Sequence, residues 1–255
     1  MDILASLCKG EVDMSKAIVL KNIRKEFGKK VAVKDSNFEV EEGILFSLLG
    51  VNGAGKTTTI RMLTGLSKPS SGDAYICGHS ILTELDKVKE ISNISTQETA
   101  VAPNLTVEEN LMFIAQIYGM TKQEAMNKVE QIISQFSLDE IRKSKAKTLS
   151  GGWQRRLSIA MALISNPKVL YLDEPTLGLD VLARKELWKI IKKLKGHITI
   201  VLTTHYMEEA ESLSDVVAIM VDGEVKACDT VAQLKEMTRK DTLEDAFIAI
   251  AEGEV

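Results

Sequence analysis

The apolar residues of this chain follow two rhythms. Short, mainly apolar runs at Ile18–Ile23, Ile44–Leu49, Val169–Leu172, Ile198–Thr203 and Val216–Val221 have the length and β-branched content of buried strands. The Asp222-Gly223 step after the last run predicts a tight hairpin into Glu224–Ala227. Between runs the spacing turns helical: Leu187, Ile190, Ile191 and Leu194 share one face of a helix that leads into the run at Ile198. Strands alternating with helices predict an α/β fold with a mainly parallel sheet.

From about Thr106 to Asn166 the alternation stops and helix follows helix. Thr106-Val107-Glu108-Glu109 is a capping box that starts a helix with Leu111, Ile114, Ala115 and Tyr118 on one face. Thr121-Lys122-Gln123-Glu124 is a second, followed by Met126, Val129, Ile132, Ile133 and Phe136 at helical spacing. The pattern predicts a helical subdomain inserted into an α/β core.

Composition narrows the function classes. The chain has 255 residues, 45% hydrophobic and 27% charged, an ordinary globular balance. A net charge of −4 argues against a dedicated nucleic-acid binder. The early basic residues Lys21, Arg24, Lys25, Lys29, Lys30 and Lys34 are read as the wet faces of edge strands. Cys8, Cys77 and Cys228 are far apart and match no metal spacing. No stretch approaches the roughly 18 apolar residues of a membrane span. Met1–Met14 contains Asp2, Lys9, Glu11 and Asp13, unlike a signal peptide; it is read as an N-terminal extension, with Met14 as an alternative start.

Candidate chemistry sits at the predicted strand ends. After the run ending at Leu49 comes Gly50-Val51-Asn52-Gly53-Ala54-Gly55-Lys56-Thr57-Thr58, which fits G-x-x-x-x-G-K-[ST]. Glycines let successive N–H groups curl around phosphate oxygens. Lys56 is expected at the β- and γ-phosphates, Thr57 on Mg²⁺, and Thr58 beside it. The run at Val169 ends in Asp173 and Glu174, at the strand edge where open α/β sheets bind ligands. Asp173 is expected to hold Mg²⁺ and Glu174 to act as general base on water, a role worth about 10²–10⁴ in rate. His205 follows another strand on the same rim, placed to bond a γ-phosphate or the attacking water, while His79 and His197 are read as structural. Gln97 lies where the core hands over to the helical segment, its amide placed to sense Mg²⁺ or water. Finally, Ser150-Gly151-Gly152 opens a helix with bare N–H groups and a small hydroxyl, a second anion site.

With these motifs in this order, the sequence resembles the ATP-binding subunits of ATP-binding-cassette (ABC) transporters, from about Ser15 to Ala249. Leu149-Ser150-Gly151-Gly152 looks like that family's signature. The resemblance implies a P-loop NTPase (RecA-like) core with an antiparallel β edge and the helical insertion. The expected limits are 15–97 and 167–230 for the core, 98–166 for the helical subdomain and 231–255 for a short C-terminal helical tail. It also implies a homodimer, or paired cassettes, closed head to tail around two ATP, with Ser150–Gly152 of one copy facing the γ-phosphate held by the other. Further implications are adenine stacking on Phe27, communication between sites through Asp180, a switch role for His205 and a link from Gln97 to a transmembrane partner. The segment Ala102–Asn110 would lie near the groove that receives a permease helix. Val51 departs from the common form outside the fixed positions of the loop, while Trp153, Ser95-Thr96 and Val181 depart at places that bear on coupling and not on the family resemblance.

Thr176–Asp180, the stretch around His205 and the ending Thr242–Ile250 resemble the subgroup that energises drug, peptide, lipid or ion exporters, including the daunorubicin-resistance type. The implied setting is the cytoplasmic face of a membrane, held by permease subunits on separate chains, with ATP and Mg²⁺ as cofactors and no nucleic acid. The rival class is a soluble cassette ATPase acting on ribosomes or DNA. Such proteins usually carry two cassettes or long coiled coils; this chain has one set of motifs and no sustained heptads.

Overall fold

The computed structural model describes residues 15–254; the N-terminal extension expected over 1–14 lies outside them. A six-stranded sheet forms the centre, from β3 (Leu45–Leu49), β6 (Ser92–Ser95), β7 (Val169–Asp173), β8 (Thr199–Thr204), β9 (Val216–Val221) and β10 (Glu224–Asp229). Its order is β10-β9-β3-β8-β7-β6, parallel except for the β9–β10 hairpin. Asp222 (φ 49°) and Gly223 (φ 82°) both take positive φ there, as a tight hairpin turn requires. A second, antiparallel sheet has the order β2-β1-β4-β5, from β1 (Lys16–Phe27), β2 (Lys30–Glu41), β4 (Ser71–Ile76) and β5 (His79–Ser80).

Around these sheets pack α1 (Lys56–Leu63), α2 (Leu85–Ile91), α3 (Val107–Ile117), α4 (Lys122–Gln135), α5 (Gly151–Ala162), α6 (Val181–Leu194), α7 (Met207–Leu213), α8 (Val231–Thr238) and α9 (Leu243–Glu252). Every residue of β3, β7 and β8 is buried. Alternate residues serve opposite layers. Leu170, Leu172, Ile200 and Leu202 pack with Leu111, Phe136, Leu157 and Leu187 from the helical insertion and α6. Tyr171, Val201, Phe46 and Leu48 pack with Ile60 and Leu63 of α1 and Ile18 and Leu20 of the antiparallel sheet. At about 1.5–3 kcal/mol for each fully buried aliphatic side chain, this double-sided burial fixes the register of the central strands.

Some expectations change. β2, β4, β5 and β6 are strands beyond the apolar runs. β1 is an interior strand of its sheet, so Lys21, Arg24 and Lys25 do not line an edge, whereas Lys30 and Lys34 lie exposed on β2, an edge strand. The Arg24 and Lys25 side chains have partners of their own: Arg24 pairs with Glu26 and Asp35, and Lys25 donates to the Lys68 carbonyl at 2.6 Å. On α4, Ala125 is buried while Met126 is half exposed; Tyr118, at the end of α3, turns outward and its hydroxyl accepts from Asn93 at 2.9 Å. The predicted face of α6, Leu187, Ile190, Ile191 and Leu194, is buried throughout.

Both expected capping boxes are present, Thr106 with Glu109 and Thr121 with Glu124. The Thr106 backbone N–H, then its hydroxyl, holds the Glu109 carboxyl below its ordinary value; the Thr121 hydroxyl, then its N–H, does the same for Glu124. A depressed carboxyl contributes stability above its unfolded pKa of about 4.3 and loses it as pH falls through the lower folded value. The urea midpoint of the wild type is therefore expected to fall more between pH 7 and pH 3 than that of a Glu109→Gln/Glu124→Gln variant. Equal falls in the two proteins would contradict this.

Candidate nucleotide site

The site begins with strand order. β8 lies between β3 and β7, with Leu49 opposite Thr204 and Asp173 opposite Thr203. Three chain segments therefore leave one rim side by side: the glycine loop after β3, Asp173-Glu174 after β7, and His205 after β8. A cleft of about 470 Å³ opens there, lined by Asn52, Gly53, Gly55, Lys56, Thr57, Thr58, Gln97, Glu174 and His205, with Phe27, Lys30, Ala32 and Leu177 at its sides.

The loop needs its glycines for different reasons. Gly53 (φ 85°) and Gly55 (φ 108°) sit in backbone space that side chains disfavour. A Cβ on Gly55 would also stand 2.6 Å from the Ala32 carbonyl oxygen. At Gly50 a Cβ would overlap the Met220 carbonyl oxygen, so that glycine permits close approach to β9. Ala54 is buried under the loop, where its carbonyl accepts from Gly223 N–H at 2.9 Å; Val51 is exposed and its carbonyl accepts from Ala54 N–H. Gly50, Val51 and Ala54 thus shape the loop without lining the cleft.

Lys56 is only 4% exposed and folds back over the loop. Its ammonium donates to the Gly50 carbonyl at 2.8 Å and the Val51 carbonyl at 3.2 Å, and lies 3.5 Å from Glu174 Oε1. Burial lowers its pKa, opposed by the charge and hydrogen bond of Glu174. Thr57 Oγ1 donates to Asp173 Oδ1 at 3.0 Å, and Thr203 Oγ1 donates to the same oxygen at 2.6 Å. Glu174 has φ 45°, a strained value for this residue type, held because its N–H donates to the Thr203 hydroxyl (3.0 Å) and carbonyl (3.2 Å). That turn aims its carboxylate into the cleft, 3.4 Å from His205 Nδ1. Phe27 is 55% exposed, with Lys25 Nζ 5.0 Å from its ring centroid.

Asp180, Ser150, Gly151 and Gly152 do not line this cleft. Asp180 caps α6, its Oδ1 accepting from Leu182 and Ala183 N–H, both at 2.9 Å. Ser150 is the N-cap of α5 yet its hydroxyl makes no capping bond, and it is exposed with Gly151. Gly152 lets α5 approach α6: a Cβ there would stand 2.9 Å from Ala183 Cβ. Among the described α-helices, only α1 and α5 have neither a side-chain cap nor an acidic residue in the first turn. Their N–H groups and positive dipole ends are left for an anion. One such end faces the cleft; the other faces outward.

Two functional residues escape sequence reasoning. Thr203 ends an apolar strand and reads as part of it, although a hydroxyl pair before a histidine is an available signal. Arg155 is buried one turn into α5, where its guanidinium donates to the carbonyls of Thr96 (2.6 Å) and Gln97. Together with the Ser95–Ser158 hydroxyl pair at 3.0 Å, it fastens α5 to the loop bearing Gln97. Arg155→Met removes both donors and is expected to lower unfolding stability by about 2–4 kcal/mol in urea denaturation, with Arg155→Lys falling between. A loss under about 0.5 kcal/mol would show that the two carbonyls do not depend on the guanidinium.

The family model described as "ABC transporter" matches residues 33–177. The chain is 42% identical over 228 residues to human phospholipid-transporting ATPase ABCA3, covering 88% of this chain and 13% of that protein. It is 41% identical over 223 residues to linearmycin resistance ATP-binding protein LnrL of Bacillus subtilis, covering 87% of this chain and 72% of that one. The chain thus spans about an eighth of the length of ABCA3. Among solved structures, one titled as the ATP-binding subunit of an ABC transporter superposes with a TM-score of 0.81 at 27% identity, covering 92% of this chain and 99% of the other. The cassette MJ0796, solved as a dimer in a post-hydrolysis state bound to ADP and Pi, gives 0.75 at 28% identity, covering 84% and 98%.

Proposed function

The chain belongs to the ABC transporter family, and from that premise we propose that it is the ATP-binding and ATP-hydrolysing part of an exporter, working as a pair around two nucleotides. The observation that carries this reading is the pair of bare helix ends. α1 opens into a cleft that already holds Lys56, Thr57 and Glu174; α5 opens away from it. A second copy turned head to tail would bring its Ser150 and Gly151 to the γ-phosphate, adding N–H groups and a hydroxyl where negative charge is greatest. The MJ0796 cassette, solved as a dimer with ADP and Pi, supports pairing by similarity.

The reaction follows from groups already in contact. Lys56 exchanges the Gly50 and Val51 carbonyls for β- and γ-phosphate oxygens, and in moving leaves Glu174. The released carboxylate accepts a proton from the attacking water, while His205, 3.4 Å away, orients that water or the γ-phosphate. The oxygens of Thr57 and Asp173 meet at 3.0 Å, and Gln97 lines the same cleft; this all-oxygen donor set suits Mg²⁺. Bound there, Mg²⁺ would neutralise phosphate charge. Phe27 offers its ring to the adenine at the rim, and Asp180, by capping α6 beside α5, holds the face shared by the two copies.

Export is favoured by the relatives, one a phospholipid-transporting ATPase and one a linearmycin resistance protein. We place this chain with drug or lipid exporters of the daunorubicin-resistance type, held at the cytoplasmic membrane face by permease subunits. Fully buried Asn110 organises Ala102–Thr106 through its amide, leaving Phe113 and Ile117 exposed one turn apart on α3 for that partner. No helix among the described residues is long and apolar enough to cross a membrane.

Glu174→Gln is expected to retain ATP affinity, lose about 10²–10⁴ in turnover and accumulate an ATP-bound dimer on size-exclusion chromatography. Turnover near wild type would remove Glu174 from its role. Lys56→Ala and Ser150→Arg chains are each expected to be inactive alone, whereas their mixture regains activity through mixed pairs that contain one intact composite pocket. A mixture as inactive as its components would contradict the paired site.

A further inference from the structure

We propose that Glu209 is a positioning residue for the hydrolytic step: its buried carboxylate ties α6, through Trp188, to the turn bearing His205. It thereby sets His205 against Glu174. This rests on the reading of the site as an ATPase.

Glu209 is fully buried on α7, four residues after His205, although its neighbour Glu208 is exposed and pairs with Arg184 at 3.2 Å. A lone buried carboxylate is costly, and an apolar residue would usually serve packing better. Its surroundings explain what it holds. Oε1 accepts from Trp188 Nε1 of α6 at 2.9 Å. Burial pushes the carboxyl above its ordinary value, against the opposing influence of Thr204, Trp188, Thr176 and the Arg184 charge. Oε2, Thr176 Oγ1 and Arg184 Nε, all buried, complete no hydrogen bond of ordinary geometry. The cluster is thus a partly satisfied polar joint among otherwise apolar layers.

Its members adjoin the catalytic groups on both sides. Thr176 is two residues past Glu174. Thr204 immediately precedes His205; its hydroxyl accepts from Tyr206 N–H at 3.0 Å and its carbonyl from Gly50 N–H at 3.2 Å. Tyr206 stacks obliquely on His205, ring centroids 4.1 Å apart, and Arg184 lies 5.8 Å from the Tyr206 ring. The Tyr206 carbonyl accepts from Glu209 N–H at 3.2 Å, which closes the turn. A shift of this turn by about an ångström changes the 3.4 Å approach of His205 to Glu174.

The test is steady-state ATP hydrolysis by the full chain, with circular dichroism and thermal melting to establish the folded fraction. Glu209→Ala is expected to lower kcat about 10- to 100-fold, with KM for ATP within about twofold, because misplacement of a catalytic group by about an ångström has that effect. Glu209→Gln keeps the shape and the acceptor for Trp188 and is expected to restore most of kcat. Should Glu209→Ala fail to fold, Trp188→Phe removes the other end of the same tie and is expected to give the same kcat-only loss. Unchanged kcat, a loss confined to KM or to the folded fraction, or a Gln variant as impaired as the Ala variant would each overturn the proposal. A wild-type chain that hydrolyses no ATP overturns the ATPase reading itself; an active wild type with an unaffected Glu209→Ala overturns only the role of Glu209.

Discussion

One buried hydroxyl, that of Thr203, fixes both carboxylates of the site. It donates to Asp173 Oδ1 at 2.6 Å and accepts from Glu174 N–H at 3.0 Å, so the ends of β7 and β8 are joined by chemistry as well as by burial. Buried hydroxyls left without partners are costly, and this one is satisfied only in the register that sets Asp173 opposite Thr203. A slip of one residue would turn Asp173 into an apolar layer and Tyr171 and Val201 into the wrong one. Asp173 then accepts from Thr57, which places the start of α1 relative to the sheet. The glycine loop, the Glu174 carboxylate and the oxygens of Thr57 and Asp173 therefore share a single reference point.

Within that frame the charged groups of the site partner one another. Lys56 is shared among two loop carbonyls and Glu174, and Glu174 is shared between Lys56 and His205. Phosphate oxygens compete for the ammonium, and every contact Lys56 gives up frees an acceptor or a carboxylate. In the proposed reaction the same substitution fills the anion site and frees the Glu174 carboxylate. α1 supplies one uncapped helix end to this exchange, and each such end contributes about 0.3–1 kcal/mol toward a nearby negative charge, more when partly buried. The bare end of α5 has no anion within its own chain's cleft, which is the electrostatic reason to look for a second copy.

The parts of the site legible in the sequence are those whose chemistry demands unusual residues at fixed spacing. Gly53 and Gly55 are required by backbone angles, Gly50 by the carbonyl of Met220, and the Asp173-Glu174 pair stands out after an apolar run. β2, β4 and β6 were less legible because one face of each meets the core while the other carries residues such as Lys34, Asp73 and Asn93, so neither a continuous apolar run nor a long alternation forms. Met126 reads as core by spacing, yet the smaller Ala125 is what the packing against α3 admits. Arg155 and Glu209 were missed for one reason: charged residues inside helices look solvated in a sequence, and only tertiary structure shows that backbone carbonyls or an indole N–H surround them. Asp180 carries a local duty that its motif does not announce, as the cap of α6.

α5 combines two tasks that could have been separate. Its first residues present the open N–H groups and the Ser150 hydroxyl outward, and one turn further Arg155 grips the carbonyls of Thr96 and Gln97. The helix has twelve residues and packs against α6 at the closeness Gly152 allows. In the proposed pair, a force on its tip from the nucleotide of the second copy would reach the Gln97 loop through Arg155. The anion site and the loop anchor of that pair belong to one helix, which couples the two pockets without a separate relay.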